Sequence, residues 1–116
     1  MDIDLVFREA ETLKSLNHKN IVKIYNCFTL KNMQVVFVME YLEGGELLKY
    51  LVERKTLCED EARHFFRQIV DAISYVHKEF LIHRDLKLEN LLLSDQEDKI
   101  IKVCKFFFVK KKKFYR

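Results

Sequence analysis

The chain has 116 residues, 49% hydrophobic and 34% charged, with a formal net charge of +3. That is the size and balance of one ordinary globular domain and excludes a disordered chain. No apolar run reaches the roughly 20 residues of a membrane helix, and the acidic start MDIDLVFREAE lacks the basic and apolar regions of a signal peptide. The positive balance is local. Residues 105–116, KFFFVKKKKFYR, carry six positive charges and no negative one, which leaves residues 1–104 with 15 basic against 18 acidic side chains. Three cysteines, Cys27, Cys58 and Cys104, have no paired spacing. They predict free thiols in a reducing cytosol, hence a cytoplasmic protein, rather than a disulfide framework or a metal site.

In chain order, Ile3, Val6, Phe7, Ala10, Leu13 and Leu16 recur at steps of three and four and predict a helix over 3–16. NHKN (17–20) breaks it. IVKIYNCF (21–28) and QVVFVMEY (34–41) are β-branched and aromatic and predict an antiparallel hairpin. Gly44 and Gly45 punctuate the chain. A short helix follows over 46–53, with Leu47, Leu48, Tyr50 and Leu51 inward. A long one spans 59–78, with Ala62, Phe65, Phe66, Ile69, Ala72, Ile73 and Val76 as its apolar face. Glu59, Asp60 and Glu61 open it, and His77 and Lys78 close it, in accord with the helix dipole. Cys58 is a poor N-cap. SDQEDK is a turn between two short strands, the second running through IIKVCKFFFV. Proline is absent, and the only glycines are the adjacent pair. A phosphate-cradling loop of spaced glycines is therefore excluded.

HRDLKLEN (83–90) carries the chemistry. Phosphoryl transfer needs an aspartate to accept or orient a hydroxyl proton and an asparagine to offer a neutral oxygen to Mg²⁺ at fixed spacing. The run resembles the catalytic loop of protein kinases residue for residue, and lysine two after the aspartate resembles serine/threonine rather than tyrosine kinases. The resemblance implies Asp85 as base, Asn90 as metal ligand and Lys87 facing the transferred phosphate. His83 and Arg84 complete the loop. MEYLEGGEL (39–47) resembles the hinge that embraces adenine. Met39 is then the gatekeeper, the Glu40 carbonyl and Leu42 backbone bond the adenine edge, and Glu46 reaches the ribose or a basic substrate residue. Leu92 is the apolar floor under adenine. FREAETLKSLNHKNIVKIY resembles the regulatory helix and the strand after it, with Glu9 as the glutamate that pairs with a phosphate-binding lysine. His18-Lys19-Asn20 stands where His-Pro-Asn is usual. EDEARHFFRQIVDAISYVH with HRDLKLENLLL resembles the calcium/calmodulin-dependent and AMP-activated-kinase-related group, microtubule-affinity-regulating kinases included.

Residues 105–107 depart from the pattern. Where kinases read Asp-Phe-Gly, this chain reads Lys105-Phe106-Phe107. The aspartate binds the Mg²⁺ that bridges two phosphates; a lysine has three donors and no acceptor. One expectation is that Lys105 pairs with Glu9. The tail has two readings: a basic–aromatic segment for an anionic membrane or nucleic acid, or a reading-frame accident at Cys104. The second is preferred, and no specific nucleic acid is expected.

The expected fold is α+β, a partial protein-kinase-like structure: regulatory helix, two small-lobe strands, hinge and the front half of a helical large lobe. Residues 1–104 form the partial kinase domain, 1–41 as small-lobe remnant and 42–104 as large-lobe start. Residues 105–116 form a divergent tail. The glycine-rich loop, the lysine strand and the later large-lobe helices are expected neighbours outside this stretch. ATP and Mg²⁺ are the implied cofactors and a protein serine or threonine the implied substrate. The chain alone is expected to be inactive and to self-associate through uncovered apolar faces. The alternatives are a pseudokinase-like interaction protein and a non-functional truncated product.

Overall fold

The computed structural model describes residues 3–32, 34–83, 86–104 and 108–110. Helix α1 spans Ile3–Ser15, with Asp4 in its first turn and Lys14 in its last. It buries Ala10 and Leu13 and ends just before buried Leu16. Its last carbonyls lack intrahelical donors. The Lys23 ammonium supplies one, donating to Lys14 O at 2.8 Å and Leu16 O at 3.1 Å. A cation at that end also complements the helix dipole.

The hairpin forms as predicted, with β1 (Ile24–Thr29) antiparallel to β2 (Val35–Met39) and a register shift between Ile24 and Asn26. The first strand starts later than its composition suggests. Ile21 instead bridges Val103 in parallel. Val22 N–H donates to Val103 O, and Val103 N–H to Asn20 O. Ile21 and Val22 are both buried, so this segment is drawn into the core before it can join the hairpin.

Three short strands make the central sheet, in the order β3 (Gly45–Glu46), β5 (Leu91–Leu93), β6 (Ile101–Val103), all antiparallel. Helix α2 (Leu47–Arg54) buries Leu47 and Tyr50. Helix α3 runs over Glu59–Lys78, the predicted span, and Cys58 makes no side-chain cap. The sequence IIKVCKFFFV does not form one strand. Ile101–Val103 pairs with β5, while β7 (Phe108–Lys110) pairs antiparallel with β4 (Leu81–His83). No helix among the described residues is long and apolar enough to cross a membrane.

The buried face of α3 differs from the predicted one. Phe65, Gln68, Ala72 and Val76 are buried, whereas Ala62 is exposed and Phe66 is 66% exposed. The helix packs on β4 and β6 along the 65/68/72/76 line, and Phe66 and Val70 form a second apolar stripe that points away. Gln68 is the residue composition would not place inside. Its Oε1 accepts from Asn20 Nδ2 and from the Ile101 N–H, each at 2.9 Å. Asn20 Nδ2 also donates to Ile101 O at 2.9 Å. Asn20 is fully buried. Its own N–H donates to His18 Nδ1 at 3.0 Å. One polar network thus joins the turn after α1, helix α3 and strand β6.

A second cluster joins α2 to α3. Tyr50 Oη donates to Glu61 Oε2 at 2.9 Å, and Arg54 and Lys99 approach the same carboxylate at 3.6 and 3.4 Å. Arg54 and Lys99 also lie 5.5 and 5.2 Å from the Tyr50 ring centroid. The Tyr50 hydrogen bond is the main cause holding the Glu61 carboxyl below the usual range; burial opposes it, and Lys99 and Arg54 add to it. Burial lowers His18 too, with Asp71 opposing.

Two predictions follow from these networks. Gln68→Leu strands the Ile101 N–H and one Asn20 donor, at about 1–3 kcal/mol for each group left unsatisfied. Phe66→Ser changes stability by about 0.5 kcal/mol or less, because that ring is outside the core. Urea midpoints measure both. A third prediction concerns acid. Groups with depressed folded pKa values stabilise above their unfolded values and lose that contribution as pH falls. Stability therefore declines first below about pH 6.5 through His18 and again below about pH 4.3 through Glu61. Glu61→Gln removes the second step and leaves the first, as read from denaturation midpoints across pH.

Candidate active site

The site begins with strand register. Glu46 stands opposite Leu92, and Leu92 opposite Lys102. Side chains alternate across a sheet. Leu91, Leu93, Ile101 and Val103 are buried on one face. The row Glu46–Leu92–Lys102 therefore lies on the other, with Leu92 and Lys102 half-buried and Glu46 exposed.

The linker 40–44 enters this sheet from β2. Both glycines are needed there, for different reasons. A Cβ on Gly44 would sit 2.6 Å from Leu93 Cβ and Leu93 O. Gly45 has φ +73°, in the left-handed region, with open space around it. Gly44 N–H donates to Leu93 O at 3.0 Å and Glu43 N–H to Ser94 O at 3.1 Å. The Gln96 side chain donates to Gly44 O at 2.7 Å. The linker is thus stitched to β5 at its far end.

At its near end Glu40 is held by its side chain. Glu40 Oε1 lies 2.9 Å from Lys102 Nζ, and Oε2 accepts from the Lys23 N–H at 2.9 Å. The Glu40 N–H donates to Lys23 O at 2.9 Å. Between the two anchors, no hydrogen bond within the described residues engages the Glu40 carbonyl or the Leu42 N–H and carbonyl. Met39 is half-buried, paired with Ile24 and packed on the core. Tyr41 is 84% exposed.

The loop residues divide by what the structure describes. Arg84, Asp85 and Lys105 lie outside the described residues. His83 ends β4, paired with Phe108. Lys87 is exposed and extended and precedes a 3₁₀ turn, Leu88–Asn90. Asn90 is buried. Its N–H donates to Lys87 O at 3.0 Å, and its carbonyl accepts from the Cys104 N–H at 2.8 Å. Glu9 is half-buried on α1, and no described cation is within ion-pair distance of it. The expected Glu9–Lys105 pair falls on an undescribed residue.

Glu40 and Leu42 therefore lie on one linker and Glu46 and Leu92 on one sheet face, while Met39 ends the strand before the linker and packs on the core. Lys102 joins them unannounced. Its signal was alternation: a lysine between Ile101 and Val103 must face away from their core. Among the described residues, no cluster of His, Cys, Asp and Glu is arranged to hold a metal ion. A cavity of about 480 Å³ lies elsewhere, against Lys19, Arg63, His64, Arg67 and Asp71. None of the row residues Glu46, Leu92 and Lys102 lines it.

A helix and hairpin joined through a short linker to a helical layer and small sheet make a protein-kinase-like α+β fold. The chain matches the family described as the protein kinase domain over residues 1–113, and it belongs to that family. It is 52% identical over 95 residues to NUAK family SNF1-like kinase 1 of Mus musculus, covering 82% of this chain and 14% of that protein. It is 51% identical over 90 residues to SNF1-like protein kinase ssp2 of Schizosaccharomyces pombe, covering 78% and 15%. A crystal structure of Rad53 1–466 in complex with AMP-PNP superposes with a TM-score of 0.84 at 34% identity, covering 90% of this chain and 28% of that one. The chain thus spans about one seventh of the length of these curated relatives.

The glycine pair gives a prediction. Gly44→Ala forces its Cβ onto the β5 backbone and costs about 1–3 kcal/mol. Gly45→Ala meets no neighbour and costs about 1 kcal/mol for its left-handed backbone alone. Guanidinium denaturation of the two variants ranks them.

Proposed function

We propose that this chain carries the adenine-binding hinge and the catalytic loop of an ATP-dependent protein serine/threonine kinase, and that with lysine at position 105 it binds nucleotide without completing phosphoryl transfer. The observation that carries the reading is the Glu40 carbonyl and the Leu42 N–H and carbonyl, unengaged among the described residues, with half-buried Leu92 next to Lys102 on the sheet that holds Glu40. Backbone donors and acceptors next to an apolar floor suit a flat heterocycle with a polar edge. Met39 closes the back of that space, and Glu46, exposed at the end of the row, suits a ribose hydroxyl or a basic peptide side chain. Glu9 belongs to the same reading as the helix glutamate.

The phosphate end is assigned from the sequence. Asp85 takes the role of base, supported by His83 and Arg84; Lys87 faces the transferred phosphate. Asn90, buried at the end of its turn, is the proposed oxygen ligand for Mg²⁺. The donor set fits adenine and does not fit the metal in full. Mg²⁺ demands oxygen ligands in near-octahedral array, and Lys105 offers none. When bound, Mg²⁺ would neutralise charge developing on the phosphates. That lysine also favours a second, non-catalytic reading: a pseudokinase-like protein that engages a partner. Exposed Phe66 and Val70 on α3 support a contact surface for it. The free thiols of Cys27, Cys58 and Cys104 suit a reducing cytosol.

A fluorescent ATP analogue tests the proposal. The expected result is saturable binding that changes little with added Mg²⁺, with no labelled phosphate passed to a peptide. Lys105→Asp is expected to make the affinity Mg²⁺-dependent, and Asp85→Asn to leave binding intact. Absence of saturable binding would reject the hinge assignment. Transfer that survives Asp85→Asn would reject the catalytic loop.

A further inference from the structure

We infer that Lys102 is a positioning residue for the nucleotide site: its ion pair with Glu40 sets where the hinge backbone presents its adenine-facing groups. The inference rests on the hinge reading above and adds to it a residue on a different strand. The carboxylate of Glu40 is divided between two elements. One oxygen takes the Lys102 ammonium at 2.9 Å; the other takes the Lys23 N–H at 2.9 Å. Lys102 and Glu40 side chains are 14% and 20% exposed, together the least exposed ion pair among the described residues, with Lys99–Glu61 next at 24% and 16%. Such a pair is screened less than a surface pair, and removing one partner leaves the other charge partly desolvated.

The location gives the pair its consequence. The next anchors of the linker are the Glu43 and Gly44 N–H groups on Ser94 and Leu93. Tyr41 and Leu42 hang between those anchors and Glu40. Without Lys102, one end of that span is tied only to the Lys23 segment, which belongs to the hairpin side. With it, the span is referenced at both ends to the same sheet that carries Leu92. The strand does more. Two residues beyond Lys102, the Cys104 N–H holds the Asn90 carbonyl at 2.8 Å. One strand, β6, therefore fixes the base-binding linker and the end of the catalytic loop relative to each other.

Hydrogen exchange and nucleotide binding on the full chain test this together. Lys102→Met is expected to speed exchange at the Lys23 and Glu40 amides by about tenfold and to weaken the fluorescent ATP analogue by about tenfold, the scale of one lost charge-assisted bond. Lys102→Arg keeps the cation and is expected to stay within about twofold of the parent in both readings. The Ala72 and Val76 amides in α3 are expected not to change, which separates local release from general loosening. Equal acceleration at Ala72 and Val76, or no change at Lys23 and Glu40, overturns the inference. So does unaltered affinity in Lys102→Met. If the parent chain binds no nucleotide, the hinge reading fails first and this role falls with it. Should Lys102→Met not fold, the paired Glu40→Gln/Lys102→Met variant, which buries no lone charge, is expected to fold and to show the same local release.

Discussion

The structure depends on one buried polar junction. Asn20 and Gln68 are 48 residues apart and bond at 2.9 Å. Ile101 completes the triangle, giving its carbonyl to Asn20 and its N–H to Gln68. A carboxamide has donors and an acceptor at fixed geometry, so each member dictates the placement of the others. Hydrophobic burial supplies the driving force but no direction. Ile24, Val76, Leu93, Ile101 and Val103 can be packed in more than one way; the amide junction admits one orientation of the α1 turn on α3 and β6. The cost is visible too, since Asn20 Oδ1 is buried with no hydrogen-bond partner among the described residues. An incomplete network of this kind gives up stability while selecting one arrangement.

From that junction the candidate site follows along β6. Ile101 is held by Gln68, Lys102 by Glu40, Val103 by Asn20 and Val22, and Cys104 by Asn90. Alternate residues serve opposite purposes. Ile101 and Val103 bury their side chains, while Lys102 turns outward to the linker. A strand of three residues would be marginal alone. Here each of its residues is bonded on a different element, and with Cys104 just after it the strand is the common reference for the segment before the hairpin, helix α3, the linker and the Leu88–Asn90 turn.

Local signals in the sequence were sufficient for the helices and for the hairpin. The acidic opening and basic close of 59–78 located α3 to the residue, and β-branched runs located β1 and β2. The motif HRDLKLEN and the linker MEYLEGGEL carried the resemblance from which the candidate site residues are proposed. What escaped was non-local. Phe66 sits beside Phe65 in sequence, and hydropathy cannot say which of two adjacent phenylalanines turns into the core against Tyr50. Gln68 is polar by type and buried by partnership, and its partners are 33 and 48 residues away. Ile21 and Val22 read as strand, yet their ladder lies with Val103 rather than with the hairpin. Lys102 was legible as outward-facing and not as the counter-ion of Glu40. Periodicity reports which face a residue takes; only the assembled fold reports what meets it there.

The same distinction bears on the catalytic loop. An eight-residue motif identifies ancestry because its residue types are tied to one chemistry. Competence is a property of the set. Asn90 is fixed through its carbonyl to Cys104, and the residue after Cys104 in the chain is lysine. On the proposed reading these two residue types oppose each other, since an amide oxygen can serve Mg²⁺ and a lysine ammonium cannot. The proposed adenine end has no such conflict, because its contacts would be backbone groups and an apolar floor, none of them a side-chain charge. On the proposed reading, recognition of nucleotide and transfer of phosphate are therefore separable in this chain, with the first supported by geometry around Glu40, Leu42 and Leu92 and the second limited by the charge of one residue.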